Sequence, residues 1–159
     1  MKKLMAERAV ISSNIGNIEL EGDGSSITGL AFTSKPTEAP PAGSVLEEAA
    51  RQLDEYFKHQ RKEFTVPLVF HGTSFQERVW KELLNIPYGS AISYGELARR
   101  CGDSKAARAI GGAVGKNPIG VIIPCHRIIA GDGTLGGYTG GTDFKKLLLK
   151  LEGIAWKNT

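Results

Sequence analysis

The run Val121-Ile122-Ile123-Pro124-Cys125-His126-Arg127-Ile128-Ile129 constrains this chain more than any other stretch. Its β-branched apolar flanks read as buried strand. Between them sit a thiol, an imidazole and a guanidinium. Polar groups carried into a core must be paired there, so the segment reads as a reactive site built into the interior, with Cys125 as a nucleophile. A free thiol is mostly protonated at neutral pH and needs a neighbouring base or cation to act. His126 is next in sequence, but successive side chains on a strand point to opposite faces. Contact between them requires a non-strand backbone at Cys125-His126, which Pro124 favours, or a bridging water. Glu152, ending the last helix, is a candidate carboxylate to orient His126. A buried inert cysteine beside a hydrogen-bonded histidine explains the same residues, and both readings stand at this point.

The chain has 159 residues, 41% hydrophobic and 23% charged. That suffices for one domain or two small ones with a real core. Two cysteines, Cys101 and Cys125, and three scattered histidines, His59, His71 and His126, show no CxxC or HxxxH spacing, so no metal site is expected. The basic start is followed by no long apolar stretch, and the expectation is a cytoplasmic protein that meets no membrane. Residues 1–70 carry a net charge of −2 and residues 71–159 of +5. The second half therefore suits a polyanion, although a slightly basic solvated surface has the same composition.

Ala9 to Ser12, Asn17 to Glu21 and Ile27 to Phe32 read as strands of a hairpin or meander. After a Pro-rich loop, Ser44 and Glu47 form a capping box for a helix whose apolar face is Leu46, Ala49, Ala50, Leu53, Tyr56 and Phe57. An extended piece, Phe64 to Phe70, leads to a boundary at His71-Gly72-Thr73, giving domains 1–72 and 73–159. Ser74 with Glu77, and Ser93 with Glu96, are capping boxes for helices ending near Leu84 and Arg100. Gly102-Asp103 breaks the chain, and Ser104 can cap a further helix, Lys105 to Val114. Two short helices about a tight turn make a helix-turn-helix candidate, or an ordinary helix corner. Lys105 and Arg108 lie one turn apart among small residues. Asn117-Pro118 ends that helix. A glycine-rich loop, Gly136 to Gly141, precedes a last helix, Phe144 to Glu152, capped by Asp143.

Pro124-Cys125-His126-Arg127 resembles the active-site signature of the O6-alkylguanine-DNA alkyltransferases, or methylated-DNA–protein-cysteine methyltransferases. Ile92-Ser93-Tyr94, Ala106-Ala107-Arg108-Ala109, Gly115-Lys116-Asn117-Pro118 and Gly137-Tyr138-Thr139-Gly140-Gly141 match in order and spacing, from about Thr73 to Gly153. The resemblance implies an α+β fold. A small ribonuclease-H-like α/β domain would be followed by a mostly helical, winged-helix-like domain carrying the helix-turn-helix.

It further implies single-turnover transfer of an alkyl group from O6-alkylguanine in duplex DNA to Cys125, with O4-alkylthymine as a second substrate. His126 would deprotonate Cys125 through a water, and Glu152 would polarise His126. Asn117 would brace the active-site turn, and Tyr94 would donate to the leaving base. Tyr138 and Thr139 would line the pocket, with the Ile128 backbone at the base's exocyclic amine. Arg108 would fill the gap left by the flipped nucleotide. Ala107, Ser93, Lys105 and Arg127 would join it in binding DNA from the minor groove. The alkylated DNA is the donor, so no cofactor is implied, and the partner is double-stranded DNA met by a monomer. Some members hold zinc in the N-terminal domain through Cys and His; with no cysteine before Cys101, none is expected here. The glycine-rich loop suggests room for alkyl groups larger than methyl. A lesion-binding protein without chemistry, a Cys-His hydrolase and a plain winged-helix binder are the competing classes. If Arg108 supports flipping, Arg108→Ala will slow transfer from duplex DNA more than reaction with a free base analogue. Equal losses in parallel rate measurements would exclude that role.

Overall fold

The computed structural model describes residues 6–138 and 141–158. The chain divides into two compact units, Met1–Phe70 and His71–Thr159.

In the first unit, β1 (Glu7–Ile11), β2 (Asn17–Gly22) and β3 (Ile27–Thr33) form an antiparallel meander in the order β1-β2-β3. Leu20 lies opposite Ala9 and Leu30. Ile18 and Leu20 are buried while Glu19 and Glu21 alternate with them, as a sheet with one wet face requires. Helix α1 (Val45–Phe57) lies on this sheet through Leu46, Ala49, Leu53, Tyr56 and Phe57. The Phe64 to Phe70 segment adds a parallel bridge to β3: Ile27 donates to the Pro67 carbonyl and Val69 donates to the Ile27 carbonyl. Buried Gln52 on α1 pins this segment by accepting from Thr65 N at 2.9 Å and donating to Thr65 Oγ1 at 2.8 Å.

The expected capping box at Ser44 is only half formed. Its hydroxyl accepts from Glu47 N, but the Glu47 carboxylate accepts from Gly43 N one residue earlier.

In the second unit, α2 (Ser74–Leu83) is capped by Thr73, not Ser74, in a full box with Gln76. Glu77 turns back to accept from Gly72 N instead. A two-residue strand β4 (Ile92–Ser93) leads into α3 (Tyr94–Arg100), where Ser93 accepts from Glu96 N. The Glu96 carboxylate pairs with Arg99 and Arg100 and does not close the box. Helices α2 and α3 pack on α4 (Ala107–Gly115), and Trp80 Nε1 donates to the Ala113 carbonyl at 2.9 Å. The helix-turn-helix is thus α3–α4, but α4 starts two residues later than the sequence suggests. Asp103 accepts from Lys105 N at 3.0 Å, holding 103–106 as a turn, and Ala106 supplies no side-chain cap. Ser104 therefore does not cap.

The largest departure is the run Val121 to Arg127. It is no strand. Turns close at Ile122 N to the Gly120 carbonyl and Ile123 N to the Ile119 carbonyl, with Val121 at φ +67°. A single 3₁₀ turn, Cys125–Arg127, follows, and only β5 (Ile128–Ile129) is extended, paired in parallel with β4. The β-branched residues correctly mark burial, but their backbone groups pair within the loop and not with a sheet. The last helix, α5 (Thr142–Leu151), begins after Gly141, so Asp143 sits in its first turn and does not cap it. Among the described residues no helix is long and apolar enough to cross a membrane.

At the end of α1, His59 adopts φ +61° while Gln60 N donates to the Glu55 carbonyl, the hydrogen bond of a Schellman motif. A left-handed conformation costs a non-glycine residue about 1 kcal/mol. His59→Gly is expected to raise unfolding free energy by roughly that amount, read from urea midpoints. A loss would show that the His59 side chain matters more than its backbone.

Candidate active site

Asn117 follows the end of α4 and builds the loop that delivers the cysteine. Its Oδ1 accepts from Ile119 N at 3.0 Å and its Nδ2 donates to the Ile123 carbonyl at 2.8 Å, closing residues 117–123 from within. Arg127 N then donates to the Pro124 carbonyl at 3.0 Å and closes the 3₁₀ turn. The non-strand backbone that a Cys125-His126 partnership requires is therefore present. Cys125 is a free thiol, 5% exposed. Burial pushes it above its ordinary range, against hydrogen bonding from Asn117, the Lys145 charge and hydrogen bonding from Tyr138. At rest it is a protonated thiol that needs a base.

The next residue in sequence carries an imidazole. The His126 side chain is fully buried, with Nε2 2.6 Å from Glu152 Oε2. Among the described residues its Nδ1 has no hydrogen-bond partner. Burial holds the imidazole below its ordinary range; Glu152 opposes this, while Arg127 and Lys145 add to it. Glu152, the C-terminal cap of α5, also accepts from Gly89 N at 3.0 Å and from Arg127 Nε and Nη2 at 2.8 and 3.0 Å. Glu152 thus lies within hydrogen-bond reach of His126.

A cavity of about 240 Å³ opens beside the thiol, lined by Tyr94, Gly111, Val114, Gly115, Cys125, Gly137 and Tyr138. Burial raises the Tyr94 and Tyr138 hydroxyls above their ordinary values, so both stay proton donors at neutral pH. Gly136, at φ +73°, approaches closely: a Cβ there would fall 3.1 Å from the Tyr94 hydroxyl.

Arg127, expected among the DNA contacts, is turned inward instead. It is 6% exposed, and besides Glu152 its Nη1 donates to the Ile86 carbonyl at 2.6 Å, so its guanidinium is committed inward. Lys105, Ala107 and Arg108 are exposed at the start of α4, where an external surface can reach them, and Ser93 is half-buried at the start of α3. Ile128 is fully buried and its carbonyl accepts from Lys145. Thr139 lies outside the described residues. Among those described, no cluster of His, Cys, Asp and Glu could hold a metal ion.

Lys145, outside the Cys125 motif, is a further buried charge near the thiol. It is fully buried on α5, donates to the Ile128 and Gly137 carbonyls at 2.5 and 3.0 Å, and lies 5.9 Å from the Tyr94 ring centre. The signal was available: Lys145, Leu148, Leu149 and Glu152 follow the i, i+3, i+4, i+7 rule, so both charges lie on the buried stripe. Burial brings the ammonium down to about 8, against the pull of a Cys125 thiolate. Between that value and the ordinary 10.5 the unfolded chain holds a proton that the folded one has lost. The cost is thus fully present below pH 8, and stability rises as pH climbs through the window. Relative to Lys145→Met, the wild-type protein should gain on the order of 1 kcal/mol between pH 8 and pH 10.5 in urea unfolding. Parallel pH curves would contradict the buried ammonium.

Residues 74–154 match the family model "6-O-methylguanine DNA methyltransferase, DNA binding domain", and residues 8–70 match its ribonuclease-like domain. A methylated-DNA–protein-cysteine methyltransferase of Methanosarcina acetivorans is 44% identical over 91% of this chain and 97% of its own length. The crystal structure of the Mycobacterium tuberculosis O6-methylguanine methyltransferase superposes with a TM-score of 0.85 at 44% identity, covering 97% of both chains. Mycobacterium tuberculosis OGT in complex with DNA gives 0.83 at 46% identity over 90% of both chains. The two family models cover most of the chain, and with a relative 44% identical over 91% of it they show that this chain belongs to the 6-O-methylguanine DNA methyltransferase family.

Proposed function

We propose that this protein repairs alkylated DNA by accepting the alkyl group of O6-alkylguanine on Cys125 (EC 2.1.1.63). The observation that carries the assignment to Cys125 is the thiol at the wall of a base-sized cavity, with a buried His126–Glu152 pair on the adjoining residue. His126 takes the thiol proton at Nδ1 through a water. The sulfur attacks the alkyl carbon, a C–S bond forms, the C–O6 bond breaks, and the electron pair leaves with the guanine. Tyr94 donates a hydrogen bond to the base as it gains charge. Asn117 keeps the 117–123 loop closed, and Tyr138 helps to line the pocket. The product thioether resists hydrolysis, so each molecule acts once. The alkyl donor is the DNA itself, and this step calls for no cofactor.

Residues 73–159 form the DNA-binding and transfer domain in this reading, and residues 1–72 the accompanying α/β domain. DNA lies against the start of α4 with its minor groove. The small residue Ala107 admits the backbone closely, Lys105 and Ser93 meet phosphates, and Arg108 fills the place of the flipped nucleotide. The exposure of Lys105, Ala107 and Arg108 supports this placement, as does the +5 charge of residues 71–159. The protein works as a cytoplasmic monomer. Gly111, Gly115 and Gly137 in the cavity wall favour acceptance of substituents larger than methyl. A pure lesion binder would have no use for a buried cysteine beside a base. Incubation with duplex DNA containing O6-methylguanine should add the mass of one methylene to the intact protein, on Cys125, and Cys125→Ser should abolish the gain. An unchanged mass at saturating DNA would defeat the reading.

A further inference from the structure

Arg127 makes more contacts to the buried carboxylate than any reading of it as a DNA ligand explains. Its Nε and Nη2 reach both oxygens of Glu152 at 2.8 and 3.0 Å, its Nη1 anchors on the Ile86 carbonyl at 2.6 Å, and its guanidinium carbon lies 5.9 Å from the Tyr88 ring centre. The Glu152 side chain is fully buried. A carboxylate held in a two-pronged ion pair is ionised and can only accept hydrogen bonds. The 2.6 Å contact to His126 Nε2 must then have its proton on the nitrogen. This leaves the Nδ1 lone pair unshared by any group among the described residues.

We propose that Arg127 is a positioning residue for the transfer reaction: by clamping both oxygens of Glu152 it fixes His126 as the neutral Nε2–H tautomer, with Nδ1 free to receive a proton. The idea rests on the assignment of His126 as base. A carboxylate facing a histidine alone would share a proton with it and favour the imidazolium, which cannot act as a base. Arg127 offsets that charge. The other groups around His126 are accounted for. From α5, Glu152 favours the imidazolium, and Lys145 opposes it. From the 3₁₀ turn, Arg127 opposes it and Cys125 is a neutral thiol at rest. Tyr88, beside Arg127 and Glu152, and Tyr94 and Tyr138, beside the thiol, are all held above their ordinary values and stay neutral. Of these groups only Arg127 touches Glu152 as a counter-charge.

The test uses the full chain labelled with ¹⁵N-histidine. With three histidines, His126 is readily assigned by difference. In the wild-type protein at pH 7 its ring signals should be those of the neutral Nε2–H tautomer. An imidazolium or an Nδ1–H form would overturn the proposal without any variant, so a failure of variants to fold does not protect it. In Arg127→Gln the His126 midpoint should rise by about one pH unit or more, a tenfold change in proton affinity. The acid limb of the methyl-transfer rate should move up by the same amount and the rate should recover at alkaline pH. Arg127→Lys, which keeps the charge but not the fork, should restore most of the midpoint. A uniform loss of rate at every pH with the His126 midpoint unmoved would reduce Arg127 to packing. A wild-type protein that shows the expected tautomer but transfers no methyl would instead defeat the assignment of Cys125 as acceptor.

Discussion

The carboxylate of Glu152 is the point on which the site depends. Glu152 is the C-cap residue of α5 through its backbone N–H, and its carboxylate is held by Gly89 N, by two nitrogens of Arg127 and by His126 Nε2. Arg127 in turn holds the Ile86 carbonyl, so one buried charge joins the 86–89 turn, the 3₁₀ turn and the last helix. Such a pair contributes little net stability over an apolar replacement, because both ions lose their water. Breaking it by removing one partner typically costs about 3–5 kcal/mol. A charge cluster of this kind is therefore a poor stabiliser and a strict positioner. Its presence beside the cysteine makes sense through the orientation it imposes.

The electrostatics of the pocket fit a protein that reacts once. Burial raises the Cys125 thiol, lowers His126 and brings Lys145 down to about 8. All three shifts favour neutral forms, as loss of solvation must. A resting thiol is far less reactive than a thiolate towards oxidants and stray electrophiles. An enzyme that turns over many times gains from a permanently ionised nucleophile. A single-use acceptor gains more from a thiol that loses its proton only when the alkyl carbon is in place.

The loop that carries this chemistry is held by few elements. Asn117 substitutes its amide for a backbone partner at both ends of 117–123, and Val121 takes a left-handed conformation that a β-branched residue adopts only under constraint. The Val121 side chain is nearly fully buried, and that burial offsets the strain. The contrast with the start of α4 is physical. There the helix has no side-chain cap and presents exposed, mostly small or basic residues, which suits a surface made to meet another molecule.

Much of this was legible in the sequence because it rests on local chemistry. The alternation of Ile18 and Leu20 with Glu19 and Glu21 specifies a one-sided strand, and the apolar stripe of α1 specifies its buried face. The motif around Cys125 pointed to a buried thiol beside an imidazole, and Glu152 could be named as a carboxylate near His126. What failed depended on competition between nearby groups. Ser104 lost its capping role because Asp103 reaches Lys105 N first, and Thr73 displaced Ser74 because Gln76 completes a box one residue earlier. The Val121 to Arg127 run shows the limit most clearly. Residue type determines that it is buried, but whether its backbone finds partners in a sheet or within its own loop is decided only when Asn117 closes it. Arg127 shows the same division: the sequence determines that a guanidinium stands in a buried run and needs a counter-charge, while only the tertiary structure brings Glu152, 25 residues away, to meet it.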